Sequence, residues 1–166
     1  MSDKKLNQLG DRLSKSLEKD EVIQITLDRL RQKLQVDRVV LNYFYRKWKG
    51  RVTFESLSSM DLSIYGSTGA DECFNDEYAA LYESGRIREI SDVATEPLNP
   101  CHREFLQSLK VRSNLVAPIL TPKGLWGLIV AHHCEEIRPW LASDVSAIEN
   151  TARILADRIH QLSKIP

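Results

Sequence analysis

The residues best equipped for chemistry in this chain are Cys101 and His102, neighbours in the run Asn99-Pro100-Cys101-His102. Pro100 suits the first position of a helix, because its missing N–H is an orphan donor there. The apolar-periodic residues Phe105, Leu106 and Leu109 follow. Cys101 then falls in the first turn, where the positive end of the helix dipole favours thiolate. A thiolate so placed is a nucleophile toward an electrophilic partner. A half-buried cysteine beside an ordinary histidine fits the pair equally well, so the rest of the chain must decide.

The other soft ligands are Cys73, Cys134, His132 and His133. No two cysteines have the two-to-four residue separation of structural zinc sites. On a strand, His132 and Cys134 share one face and His133 points to the other. A Cys-His hydrolase is no better supported. Adjacent helical residues point in different directions, and no oxyanion-hole segment is evident. Three cysteines with no secretion signal argue for free thiols in a reducing compartment, with the cytoplasm as the expected location.

Lysine plus arginine equals aspartate plus glutamate, 23 each, with no long basic run, so no nucleic-acid footprint is present. No apolar stretch approaches the length of a membrane span. With 42% hydrophobic and 28% charged residues over 166 positions, the composition is that of one globular domain.

The elements that must position these residues read in order as follows. Leu6, Leu9, Leu13 and Leu17 form a helix stripe weakened by Gly10, placing an N-terminal helix within 1–20. A second helix restarts at Lys19-Asp20-Glu21, with Asp20 as its cap and Ile23, Leu27, Leu30 and Leu34 as its apolar face. The runs 39–45 and 51–57 read as a hairpin turning at Lys49-Gly50. A loop follows over 58–69, then a short helix over 76–84 capped by Asn75 and closed by Gly85, and a short strand over 87–90. After the Cys101 helix come strands over 113–120 and 125–134, with Pro118 marking an edge or bulge. A long helix over 140–165 carries the stripe Val145, Ile148, Ala152, Leu155, Ile159 and Leu162. The fold class is α+β: an antiparallel sheet flanked by helices, with long helices at both termini.

Three runs now carry a resemblance. Asn99-Pro100-Cys101-His102, then Val111-Arg112-Ser113-Asn114-Leu115-Val116-Ala117-Pro118-Ile119, then Leu125-Trp126-Gly127-Leu128-Ile129-Val130-Ala131-His132-His133-Cys134 occur in order at domain-scale spacing. Together they resemble the bilin-binding GAF domain of cyanobacteriochromes, which are related to phytochromes, over nearly the whole chain. Asp71-Glu72-Cys73-Phe74 resembles the Asp-X-Cys-Phe signature of the two-cysteine (DXCF) subgroup, with Glu72 where proline is frequent.

The resemblance implies a photosensory domain rather than an enzyme. Its cofactor would be a linear tetrapyrrole, phycocyanobilin or phycoviolobilin, joined permanently to Cys101. His102 would pack against the pyrrole plane, Asp71 would accept pyrrole N–H bonds, and His132 would lie near ring D. Cys73 would add reversibly to the central methine bridge and shift absorption to the blue. Light would rotate the bridge between rings C and D from 15Z to 15E. Arg86 and Arg112 are the candidates for the propionates. Tyr43, Tyr65, Tyr78, Asn114 and Trp126 complete the set of pocket candidates, with core packing the alternative for the aromatic ones and the better one for Trp126.

Two other classes stay open: a GAF domain binding an exchangeable ligand such as a cyclic nucleotide, and a thiol redox sensor. The three-four spacing of the C-terminal stripe also suits a two-helix seam, so the terminal helices are expected to carry signal and to pair domains as a homodimer. No kinase, cyclase or receptor signature follows Pro166, so the output is expected to reside elsewhere.

Overall fold

The computed structural model describes residues 2–68 and 76–163, without the side chains of Ser2 and of 12–19. Asp71, Cys73 and the Asn75 cap lie outside the described residues. The element order is α1 (Ser2–Leu34), β1 (Arg38–Arg46), β2 (Lys49–Leu57), α2 (Asp76–Glu83), β3 (Arg88–Ile90), α3 (Pro100–Ser108), β4 (Ser113–Thr121), β5 (Gly124–His133) and α4 (Ala142–Ser163). The strands form one antiparallel sheet in the order β2-β1-β5-β4-β3. This is the expected α+β architecture, with a long helix at each end.

Period-two alternation divides the sheet into two faces with different tasks. Val39, Leu41, Leu115, Ala117, Ile119, Ile129 and Ala131 point to one side and pack on Ile23, Leu27, Leu30 and Leu34 of α1 and on Ile148, Leu155 and Ile159 of α4. Val40, Val52, Val116, Leu128 and Val130 point to the other, where Tyr82 of α2 joins them. A third cluster, Ile90, Val93, Leu106 and Val111, seats α3 beside the sheet.

Several local expectations give way to tertiary context. The two N-terminal helices are one: α1 runs unbroken through Gly10 and Asp20. An interior glycine costs only about 1 kcal/mol, and no proline interrupts the run. The β1–β2 turn is Lys47-Trp48, with Trp48 at φ 59°, and Gly50 lies inside β2. A side chain at Gly50 would run into the Asn42 amide. Pro118 lies beyond the last residue that β3 pairs, one position before a register shift at Ile119/Leu120. That shift leaves Trp126 as the extra residue between Leu125 and Gly127. Its ring packs on the helix-covered core and on Tyr43, centroids 4.7 Å apart.

The C-terminal stripe finds its partner within the chain. Ile148, Ala152, Leu155 and Ile159 are buried against the sheet and α1, so these side chains are not free to form a seam between two copies. No helix among the described residues is long and apolar enough to cross a membrane.

Among the described glycines, Gly127 leaves the least room: an added Cβ would collide with the Asn42 carbonyl oxygen of β1. Backbone cannot yield as a flexible side chain does. Gly127→Ala should therefore destabilise the fold by about 2 kcal/mol, within the usual range for overpacking. A urea midpoint equal to that of the native chain would contradict this account of the β1–β5 contact.

Candidate functional site

The sheet face not covered by α1 and α4 floors a cavity of about 590 Å³, with α2, α3 and the segment 97–99 as its walls. Val40, Val52, Val116, Leu128 and Val130 make the floor apolar. The volume is that of a site for a ligand of drug or cofactor size.

Of the residues singled out in the sequence, the cavity brings together His102, His132, Arg86, Tyr78 and Asn114. Cys101 stands at its edge. Asn99 caps α3 by accepting the Cys101 N–H at 2.9 Å, with Pro100 in the first turn, as the sequence anticipates. Cys101 itself is exposed, whereas its neighbours Asn99 and His102 line the cavity. Adjacent helical positions thus divide into a thiol at the mouth and an imidazole turned inward. The Cys101 sulfur is disulfide-bonded in this structure, which departs from the expectation of free thiols.

His102 lies against Tyr78 of α2, ring centroids 6.2 Å apart and planes 30° from parallel. Burial, with Arg88 and Arg86 nearby, holds its pKa below the ordinary histidine value. Arg86 lines the wall with no ion pair among the described residues, and Arg88 beside it is bound to Glu96 at 3.5 Å. Two cations on one wall suit an acidic ligand.

Arg112, Tyr43, Tyr65 and Trp126 lie outside the cavity lining. Arg112 is turned to Asp92, Nε to Oδ1 3.1 Å. Tyr43 sits against Trp126. Tyr65 is 70% exposed on the loop after β2. His133 points away from the cavity with Nδ1 3.4 Å from Asp37, and Cys134 is half-buried, its thiol pKa raised mainly by burial.

The structure adds residues that the sequence reading passes over. Tyr82 lies one helical turn after Tyr78 and also lines the cavity; burial pushes its phenol up to about 12, so it is neutral. The four-residue spacing of the two tyrosines was the available signal. Arg38, only 1% exposed, donates from Nε to His132 Nδ1 at 3.0 Å and to the carbonyls of Leu62 and Leu109 at 2.7 Å each. His132 is fully enclosed, and its pKa is driven well below the ordinary value by burial first and then by the Arg38 charge. Asn114, its cross-strand partner, has a buried Oδ1 with no hydrogen-bond donor.

Both cavity histidines are therefore neutral in the fold, whereas in the unfolded chain they protonate near pH 6.5. Below that pH the unfolded state binds more protons, so stability should fall as pH falls toward the lower folded-state values. The urea midpoint should drop between about pH 7.5 and about pH 5.5, and His132→Gln should flatten the dependence. A slope unchanged by His132→Gln would show that His132 is not buried neutral.

Comparison with known proteins agrees with this arrangement. The GAF domain model matches residues 18–159. An uncharacterized protein of Picosynechococcus is 48% identical over 156 residues, covering 94% of this chain and 96% of that protein. A putative methyl-accepting chemotaxis protein of Synechocystis is 36% identical over 140 residues, 84% of this chain but only 14% of its own length. Among solved structures, the blue-light absorbing form of the Thermosynechococcus elongatus PixJ GAF-domain superposes with a TM-score of 0.79 at 28% identity, covering 92% of each chain. The phycocyanobilin-bound GAF domain from a cyanobacterial phytochrome superposes with a TM-score of 0.81 at 29% identity, covering 100% of this chain and 98% of that one. The family match over most of the chain and the superposition on solved GAF domains lead to one conclusion: this chain belongs to the GAF domain family.

Proposed function

We propose that this chain is a photosensory GAF domain that holds a linear tetrapyrrole covalently in the cavity. The observation that carries the reading is the juxtaposition of a helix-start cysteine, Cys101, with a cavity of about 590 Å³ lined by His102, His132, Arg86 and Asn114. The buried Asn114 Oδ1 with no hydrogen-bond donor and Arg86, without an ion pair among the described residues, fit a ligand carrying both N–H groups and carboxylates. The likeness to a phycocyanobilin-bound GAF domain and to a blue-light absorbing one supports the choice of ligand.

The pigment, phycocyanobilin or phycoviolobilin, supplies light absorption and a double bond that rotates between 15Z and 15E. Cys101, once reduced, adds as thiolate to the exocyclic ethylidene of ring A, forming the C–S bond while the adjacent carbon takes up a proton. His102 packs on the pyrrole plane with Tyr78 behind it. Arg86 and Arg88 face the propionates. Cys73, in the DXCF motif, adds reversibly at the central bridge and shortens the conjugated system, giving the blue-absorbing state of a blue/green pair, with Asp71 accepting pyrrole N–H bonds.

A second reading, a thiol redox sensor, is favoured by one observation: the disulfide at Cys101. Co-production with phycocyanobilin under reducing conditions separates the two. The chain should show a zinc-fluorescent band after denaturing electrophoresis, and Cys101→Ala should lose it. A wild-type chain that takes up no pigment after full reduction would favour the sensor. Cys73→Ala should keep the covalent pigment but lose the blue-absorbing dark state; an unshifted blue state in that variant would rule out the second thioether.

A further inference from the structure

We propose that Arg103 is a positioning residue for thioether formation: its guanidinium fastens the first turn of α3 to the loop before it and so fixes where the Cys101 sulfur stands at the cavity mouth. The role in attachment deepens the function proposed above and rests on it.

The two ends of α3 are held differently. Toward its C-terminus, Leu106 is buried with Ile90, Val93 and Val111, Phe105 and Leu109 pack against that cluster, and the Leu109 carbonyl accepts from Arg38 at 2.7 Å. Leu98, just before the cap, packs on the same cluster, but Asn99, Pro100, Cys101 and Glu104 are exposed. Arg103 is the fourth helical residue after the Asn99 cap, where an apolar side chain often packs on the residue preceding the cap. Here hydrogen bonds fasten the entering loop instead. Arg103 donates from Nε to the Val93 carbonyl at 3.1 Å and from Nη2 to the Glu96 carbonyl. Its main-chain N–H donates to the Asn99 carbonyl at 3.0 Å and closes the first turn.

The loop that receives these bonds is itself braced. Val93 is buried, and its N–H donates to the Arg112 carbonyl at 2.8 Å. The Asp92 carboxylate accepts from Arg112 Nε at 3.1 Å and from the Ala94 N–H at 3.0 Å, and the Glu96 N–H donates to the Asp92 carbonyl at 3.0 Å. The Glu96 carboxylate is bound to Arg88. Arg103 therefore ties the turn that carries the thiol to a loop fixed against the start of β4. The rigid fork of an arginine sets the direction of both bonds, which an ammonium cannot copy. Attachment requires the sulfur within about 3–3.5 Å of the ethylidene carbon. The sulfur bonds to that carbon, the electron pair of the double bond takes a proton at the neighbouring ring carbon, and nothing is oxidised or reduced. Cys101 is exposed at the mouth, so the orientation of the first turn sets the direction of its sulfur.

The test uses the full chain, fully reduced and kept in the dark, with phycocyanobilin added over a range of concentrations. Arg103→Lys keeps the charge and loses the fork. Its saturating attachment rate should fall about tenfold or more, as expected for a misplaced reacting atom, while the half-saturating pigment concentration is unchanged. Alkylation of Cys101 by iodoacetamide, a small electrophile with no pose to match, should keep its native rate in that variant. A native attachment rate in Arg103→Lys, a loss confined to half-saturation, or an equal fall in alkylation each overturns the inference. Spectra of the 15N-labelled, pigment-free native chain should show an Arg103 Nε–H that exchanges slowly with solvent; rapid exchange overturns the inference whether or not the variant folds. If the native chain attaches no pigment, the photosensory reading falls and the role in attachment falls with it. If the native chain attaches pigment and Arg103→Lys keeps pace, only the inference falls.

Discussion

The hydrogen bonds of one buried guanidinium tie the cavity together. Arg38 is enclosed at the base of β1 with no salt bridge among the described residues. Burial lowers its pKa, while the nearby acidic groups of Cys134, Glu55 and Asp37 oppose that. Enclosing a charge is expensive unless its hydrogen-bonding capacity is met. Here two main-chain carbonyls and one imidazole accept from three of its five N–H groups, one on each nitrogen. Those bonds connect the end of α3, whose first turn carries Cys101, to β5, which carries His132. The two ends of the cavity are therefore held in register by a single side chain, and the position of the thiol relative to the inner polar pair depends on it.

Around that tie the sheet does two jobs with one alternation. Val39, Leu41, Leu115, Ala117, Ile119, Ile129 and Ala131 face α1 and α4 and make the core; their even-numbered neighbours Val40, Asn114, Val116, Leu128, Val130 and His132 face the cavity. The helices that close the core therefore stand on the opposite side of the sheet from the site.

Much of this was legible in the sequence, and the exceptions have physical causes. The strands, the Pro100 start of α3 and the inward apolar face of α1 follow from period and from proline's fitness for a first helical turn. The split of α1 into two helices failed because one glycine and one plausible cap do not outweigh a continuous packed face. Trp126 packs on the core, the better of its two sequence readings, and a register shift that inserts it as an extra residue puts it there. The inward turn of Arg86 rather than Arg112 depends on a partner far along the chain, Asp92, that claims Arg112. Arg38 was the most consequential omission. Its even position, shared with Val40 and Asn42, marks it for the cavity face, but a charged residue at a strand start reads as solvent-facing until its three acceptors come together from 62, 109 and 132.

The central claim is that Cys101 carries a tetrapyrrole within this cavity. The most direct measurement is peptide mass spectrometry of the chain produced with phycocyanobilin, fully reduced, and digested under acid conditions that preserve thioethers. The account predicts the added mass of one bilin on the peptide containing Cys101. That peptide recovered unmodified, with the pigment lost or found only on another cysteine, would contradict it.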